Sequence, residues 1–507
     1  MSSAGALPSA IQLKGIDKRF GAVHANRSID LDVKAATIHG IIGENGAGKS
    51  TLMNIIYGFY QADRGDVWVD GEKVEIKSPD AAIAAGIGMV HQHFMLVETF
   101  TVLENVLLGA EGGATLKEGA EAARAKLVEL ERDYGLDVDL DATVASLPVG
   151  VQQRVEILKA LFRGARILIL DEPTGVLTPQ EADHLFRILE NLKAQGRTVI
   201  LITHKLREIM AVTDRVSVMR AGAMVAHRPT AQTSREELAE LMVGRKVLLQ
   251  VDKQPARPGE QVLEVNELSF TDAKGVRRLK SVSFDVRRRE IVGIAGVAGN
   301  GQTELLEVLG GIRRPTAGAV RLLGVPMEGG VRPQKTGHVP EDRLRMGLVG
   351  TFAAAENAIL GYHVQPRYSW KGLLRRADIV QTCLGWMQDH DVRPSDPSLS
   401  AKSFSGGNQQ KQVLAREMEH DPELLLVGQP TRGVDIGAIE FIHKRLIAMR
   451  DAGKAVLLVS VELDEVLSLS DRIIVMFDGM ITGELDAADA DERTVGLLMA
   501  GITKEAA

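Results

Sequence analysis

Short apolar runs recur along the chain, and their lengths set the first expectation. Thr198–Ile202 (TVILI) and Val456–Ser460 (VLLVS) are almost free of polar residues, which predicts strands buried on both faces of a parallel sheet. Ile167–Leu170 is a third such run and ends on two adjacent carboxylates, Asp171 and Glu172. A fourth, TIHGII at Thr37–Ile42, leads into a glycine-rich turn and then a helix predicted over Thr51–Tyr57. The segments between the runs carry apolar residues at helical spacing. The pattern predicts an α/β fold, a parallel sheet flanked by helices with its chemistry on the loops at strand ends.

The chain also repeats itself. GENGAGKST (Gly43–Thr51) aligns with GVAGNGQTE (Gly296–Glu304), VGVQQRVEILKAL (Val149–Leu161) with GGNQQKQVLAREM (Gly406–Met418), and ILILDEPTG (Ile167–Gly175) with LLLVGQPTR (Leu424–Arg432). The last two pairs, and the endings near Val243 and Ala500, share one offset of 257 residues. Two copies of one domain are expected, at 11–245 and 261–502. The stretch 246–260 joins them, and its two prolines and mixed charge suit an exposed linker.

Composition narrows the class. With 507 residues, 45% hydrophobic and 25% charged, the chain suits two globular domains. No apolar stretch reaches the roughly 18 to 20 residues that span a bilayer, and the N-terminus lacks the pattern of a signal peptide. A cytoplasmic location is expected, with any membrane contact made through a partner. Cys383 is the only cysteine, which excludes an internal disulfide and a multi-cysteine metal site. A formal charge of -7 carries no overall footprint for nucleic acid.

Gly43, Glu44, Asn45, Gly46, Ala47, Gly48, Lys49 and Ser50 fit the phosphate-loop pattern G-x-x-x-x-G-K-[ST], between a strand and a helix as that loop requires. Glycines let backbone N–H groups face phosphates, Lys49 reaches the terminal phosphates, and the Ser50 hydroxyl ligates Mg2+. At the end of Ile167–Leu170, Asp171 is a candidate metal ligand and Glu172 a candidate to polarise an attacking water.

With these motifs in place, nearly the whole chain resembles the ABC-type ATPases, twice over. The resemblance implies two tandem nucleotide-binding domains, each with a RecA-like parallel core, an antiparallel β subdomain and a helical subdomain, and it implies ATP and Mg2+ as cofactors. It makes Gln92 the glutamine-loop residue and a metal ligand beside Ser50 and Asp171. It makes His204 the switch histidine and Phe20 the adenine platform, and it extends the nucleotide contacts to Thr51. The family's signature segment corresponds to Ser405, Gly406 and Gly407 in the second copy and to Pro148, Val149 and Gly150 in the first. In this family one copy's phosphate loop works with the other copy's signature and aspartate loop, here Asp435. The site on the first loop would thus use Lys49, Ser50, Gln92, Asp171, Glu172 and His204 with Ser405, Gly406, Gly407 and Asp435. The other would have Gln302 for Lys49, Glu341 for Gln92, Gly428 for Asp171, Gln429 for Glu172 and Val461 for His204, opposite Pro148, Val149 and Thr178. The expectation is one hydrolytic site and one that binds without turnover.

The fused pair, with the segment Val339–Arg343 (VPEDR), resembles the importer ATPases for ribose, galactose and related monosaccharides and those for nucleosides. His93 and Phe94 after the glutamine look more like the nucleoside branch, and a monosaccharide is the alternative. The resemblance implies two transmembrane permease subunits as partners, an extracytoplasmic substrate-binding protein or lipoprotein as an indirect one, no contact with substrate, no nucleic acid, and a peripheral place on the cytoplasmic face of the inner membrane. The permease is expected on helical segments after Gln92 and Glu341. A soluble tandem ABC ATPase acting on ribosomes is a remote alternative, disfavoured by the degraded second site and short linker.

Overall fold

The computed structural model describes residues 7–21, 23–91, 94–110, 116–175, 177, 179–246, 253–297, 299–434 and 436–502. The chain divides into two compact units, Met1–Val247 and Leu248–Ala507.

In the first unit a six-stranded sheet runs in the spatial order Ala223–Pro229, Arg215–Arg220, Ile38–Gly43, Thr198–Ile202, Ile167–Asp171, Ile87–Val90. All its pairings are parallel except that of the edge strand Ala223–Pro229. The apolar runs read from the sequence are its central strands, with every residue of Ile38–Gly43 and Thr198–Ile202 buried. An antiparallel sheet of four strands, ordered Val23–Lys34, Ser9–Phe20, Arg64–Val69, Glu72–Val74, forms a second layer. The helix after the phosphate loop, Lys49–Ile56, lies between the layers. Its Leu52, Met53 and Ile56 share one core with Ile41 of the parallel sheet and with Ile11, Leu13 and Val33 of the antiparallel one. Burying each such side chain contributes about 1.5–3 kcal/mol, so the loop is held from both sides. The helices Val102–Leu107, Leu116–Tyr134 and Val149–Phe162 form a helical subdomain. The first starts with a reciprocal cap, in which Thr101 N–H donates to Glu104 Oε2 at 2.8 Å and Glu104 N–H to Thr101 Oγ1 at 3.2 Å.

The second unit repeats this plan. Its parallel core is ordered Thr336–Val339, Leu424–Gly428, Ala455–Ser460, Glu290–Ala295, Arg472–Phe477, with Met480–Asp486 antiparallel at the edge. Leu305, Leu306 and Leu309 of the helix Gln302–Leu309 pack between Val292 and Ile294 on one side and Val265 and Leu263 on the other. A hairpin of Ser369–Trp370 and Leu373–Leu374 was not anticipated. Among the described residues no helix is long and apolar enough to cross a membrane.

Part of the stretch read as an exposed linker is tied down. Lys253 Nζ donates to Leu469 O at 3.0 Å and lies 3.4 Å from Asp471 Oδ1. Arg450, whose side chain is 1% exposed, donates to Gln254 O at 3.0 Å and to Asp471 Oδ1 at 2.8 Å. Asp471 in turn accepts from Ile291 N–H at 2.9 Å. The guanidinium thus joins the entering chain to a central strand. Arg450→Leu removes one partner of a buried pair, which costs about 3–5 kcal/mol. Chemical denaturation followed by circular dichroism is expected to show a lowered midpoint, and an unchanged midpoint would refute this role for Arg450.

Candidate functional site

The helix of the phosphate loop begins at Lys49, two residues before the start expected from its apolar spacing, because the glycine before it turns the chain. Gly48 caps it at φ 101, a conformation open to glycine but not to residues with a Cβ. A Cβ there would lie 2.3 Å from Ala25 O. Asn26, fully buried, donates from Nδ2 to Gly48 O at 3.1 Å. The sequence offered little sign of this residue, since its importance comes from a partner 22 positions away. The first helical turn leaves its N–H groups free of intrahelical partners and facing the loop, an arrangement that suits an anion. Lys49, 6% exposed, donates from Nζ to Gly43 O at 2.7 Å and Glu44 O at 3.1 Å. Asn45, Gly46 and Ser50 are exposed, Thr51 is half-buried and Ala47 is buried.

Two strands away, Asp171 ends its strand and Glu172 follows at φ 47, its N–H donating to Ile202 O at 2.8 Å. That left-handed conformation costs a non-glycine residue roughly 1 kcal/mol or more, and such strain collects at functional sites. His204, at the end of the neighbouring strand, donates from Nδ1 to Glu172 Oε1 at 2.9 Å. This bond, first of all, holds the Glu172 carboxyl below its ordinary range. Burial pushes Asp171 up to about 6, with Glu172 adding to the shift and Lys49 opposing it. Burial lowers the Lys49 pKa, while Glu172 and Asp171 pull it back up. A divalent cation beside Asp171 would favour its ionised form and reverse the shift, and the ionised carboxylate is a hard oxygen donor. Asp171 and the exposed Ser50 hydroxyl therefore fit Mg2+, and the loop fits the phosphates it would accompany. Phe20, 43% exposed, meets Tyr60 edge to face at 5.2 Å with Lys18 Nζ 5.4 Å from its ring. The first unit thus brings Lys49, Asp171, Glu172 and His204 together.

The second unit keeps this backbone and changes the charges on it. Gly299 and Gly301 stand at φ 94 and 100, as Gly46 and Gly48 stand at 81 and 101. Gln429 has φ 46, and its N–H donates to Val459 O at 2.8 Å, as Glu172 does to Ile202. Its side-chain Oε1 accepts from Val461 N–H at 3.2 Å, so an amide bonded to backbone replaces the carboxylate–imidazole pair.

The signature segment of this unit starts the helix Gly406–Met418, which Ser405 caps by accepting from Asn408 N–H at 3.4 Å, with Asn408 Nδ2 also donating to its hydroxyl at 2.9 Å. Gly407 is buried in its first turn. A Cβ at Gly406 would lie 2.6 Å from Arg343 Nη2 and 2.7 Å from Gly433 O. That close packing is a reason for glycine that motif reading did not supply. Arg343 itself donates to Arg432 O at 2.7 Å, to Gly433 O and to Gln409 Oε1, and it was missed because its partners lie far along the chain. In the first unit Pro148 stands at the start of Val149–Phe162 with no side-chain cap. Gln92, His93, Thr178 and Asp435 lie outside the described residues. After Gln92, residues 94–97 are loop, with Phe94 and Leu96 half-buried and Met95 61% exposed, and the helix Val102–Leu107 follows.

The family model for ABC transporters matches residues 26–175 and again 279–432. The chain belongs to the ABC transporter family. Like its ATP-binding relatives it is an α/β protein with two cassettes in tandem. It is 47% identical over 498 residues to the nucleoside import ATP-binding protein NupA of Lactococcus lactis, covering 97% of this chain and 98% of that one. It is 46% identical to the guanosine import ATP-binding protein NupO of Bacillus subtilis, covering 98% of each. The glucose import ATP-binding protein TsgD13 of Haloferax volcanii is 44% identical, with 97% of this chain and 96% of that one covered. For an ABC cassette the geometry of the first loop makes a direct demand. Gly48→Ala places a Cβ against the Ala25 carbonyl, and ATP affinity is expected to fall at least tenfold in equilibrium binding of labelled ATP. Unchanged affinity would contradict the loop's assignment as the phosphate cradle.

Proposed function

We propose that this chain is the ATP-hydrolysing subunit of an importer that takes up a nucleoside, with turnover confined to the first phosphate loop. The observation that carries the reading is the buried Lys49 beside Asp171 and Glu172, with His204 bonded to the latter. Lys49 and the loop N–H groups bind the phosphates, and Asp171 with Ser50 would hold Mg2+, which would supply neutralisation of charge there. Glu172, kept ionised by His204, orients and polarises the attacking water. Phe20 supplies a ring for the adenine. Ser405, Gly406 and Gly407 contribute to the same turnover, as the family resemblance implies, together with Gln92 and Asp435.

Membrane permease subunits are the partners of such a subunit, which works at the cytoplasmic face of the membrane. Met95 and Leu344, each 61% exposed on the segments following Gln92 and Glu341, support docking there. The nucleoside reading rests on His93 and Phe94 and on the relatives named above; the relative named for glucose supports a monosaccharide as the second reading.

Lys49→Ala and Glu172→Gln are each expected to lower ATP turnover by about 10² to 10³ or more. Ser405→Ala is expected to lower it strongly and Pro148→Ala little, in the same phosphate-release assay. Equal turnover in wild type, Lys49→Ala and Glu172→Gln would end the hydrolytic reading. Cells lacking the protein are expected to lose uptake of labelled guanosine or adenosine and keep uptake of ribose, and Met95→Asp is expected not to restore it. The reverse substrate pattern selects the monosaccharide reading.

A further inference from the structure

The helical subdomains of the two units part company after one matched pair of residues. Asn105 and Asn357 hold equivalent places, each donating from Nδ2 to a carbonyl eight positions earlier. In the first unit the residues that follow, 106–119, set Glu111 and Glu118 against Lys117 and include no aromatic side chain. In the second unit the stretch between Glu356 and Asp378 carries four cations, Arg367, Lys371, Arg375 and Arg376, and no acid, in a chain whose formal charge is -7. The hairpin of Ser369–Trp370 and Leu373–Leu374 lies inside this basic stretch. The repeat therefore does not require it for folding, since the first unit builds its subdomain from a sequence of different character.

The hairpin is firmly rooted and bare at its tip. Arg375 N–H donates to Tyr368 O at 2.8 Å across its base, and the Tyr368 side chain is fully buried with Ile359, Cys383 and Trp386. Trp370 pairs with Leu373, so the two side chains share one face. Lys371 and Gly372 join them at φ 48 and 81, the two left-handed residues of a tight hairpin turn. Asn, Asp or Gly is the favoured residue at the first of these positions. Here a lysine takes it, with Nζ 4.8 Å from the centre of the Trp370 ring. Trp370 is 58% exposed, Leu373 71% and Leu374 51%, and a Cβ on Gly372 would meet nothing within 4 Å. Arg375 lies 3.8 Å from Asp378, while Lys371 and Arg376 have no acidic partner among the described residues. An apolar tip held out in water gains nothing from burial within the chain.

We propose that this hairpin rests directly on an anionic lipid surface, with Trp370 and Leu373 among the headgroups and Lys371, Arg375 and Arg376 on the lipid phosphates. This goes beyond the reading of the chain as an importer subunit, in which the membrane is met through permease subunits. An indole has an apolar ring and a polar N–H, and it settles at the boundary between water and hydrocarbon. Lysine and arginine stems lie along apolar surface while their charged heads reach the phosphates. The charge pattern selects lipid over protein as the occupant. A protein face presents both signs of charge, whereas a leaflet rich in anionic lipid presents one sign over its whole area, which suits a tip ringed by cations without an acid among them. So few apolar residues bind weakly alone, so the contact depends on charge and weakens with salt.

The test uses the full chain without permease, titrated at low salt with vesicles of phosphatidylglycerol and phosphatidylcholine in equal parts. Of the three tryptophans Trp386 is 8% exposed and Trp68 half-buried, so Trp370 reports on the hairpin. Tryptophan emission is expected to shift to the blue and to be quenched by bromine-labelled acyl chains, and Trp370→Phe is expected to abolish both responses while the chain still sediments with the vesicles. Lys371→Gln combined with Arg376→Gln is expected to weaken vesicle binding at least tenfold, with circular dichroism and ATP turnover in solution unchanged. Absence of binding to the anionic vesicles, equal binding to phosphatidylcholine alone, or a blue shift that survives Trp370→Phe would each overturn the proposal. Undiminished vesicle binding by the double variant would also overturn it, and loss of permease co-purification by that variant would then assign the hairpin to a protein partner. ATP turnover reports separately on the hydrolytic reading, so the two can fail independently.

Discussion

A buried ammonium facing two carboxylates is the arrangement around which the first unit is organised. Lys49 sits in a loop whose turn only glycine can make, and its Nζ is held by loop carbonyls. Asp171 and Glu172 reach it from the end of a strand that is parallel to, and separated by one strand from, the strand feeding the loop. None of these charges is comfortable alone: burial lowers the Lys49 pKa and raises that of Asp171, and each is eased by the other. The parallel sheet is what makes the encounter possible, because it delivers strand ends to one edge at fixed spacing. The strain at Glu172 is sustained by the sheet bond from its N–H to Ile202 O.

The second unit answers the same constraint differently. Losing only the lysine would leave two buried carboxylates opposed, and losing only the carboxylates would leave a buried cation. There, Gln302, Gly428 and Gln429 remove all three charges together while the glycine turns and the strained residue persist. The second unit thus preserves the geometry of the loop while its charges are lost together.

Much of this was legible in the sequence because the decisive signals are local. A phosphate loop, a run of apolar residues ending on two acids, and an apolar run ending on a histidine each announce themselves within ten positions, and the internal repeat identified the replaced residues in pairs. What was not legible depends on contacts between distant segments. Asn26 acts on Gly48, Arg343 on Arg432 and Gly433, and Arg450 on residues 254 and 471. Proline and mixed charge in the exposed linker say nothing of Lys253 reaching Leu469. The helix after the phosphate loop began earlier than its apolar spacing implied because Gly48, rather than hydrophobicity, sets its start. Glu341 was read as a lost glutamine, since only the packing against Gly428 reveals where its side chain goes.

The central claim is that one chain carries one hydrolytic loop and one that keeps its nucleotide. It is tested most directly by a single-turnover experiment on the full chain with its permease, loaded with ATP labelled in the γ-phosphate and sampled by rapid quench. The account predicts that half of the bound label appears as phosphate in a fast phase, while the other half stays as intact ATP over many times that interval. Conversion of all the bound ATP in one phase would contradict it.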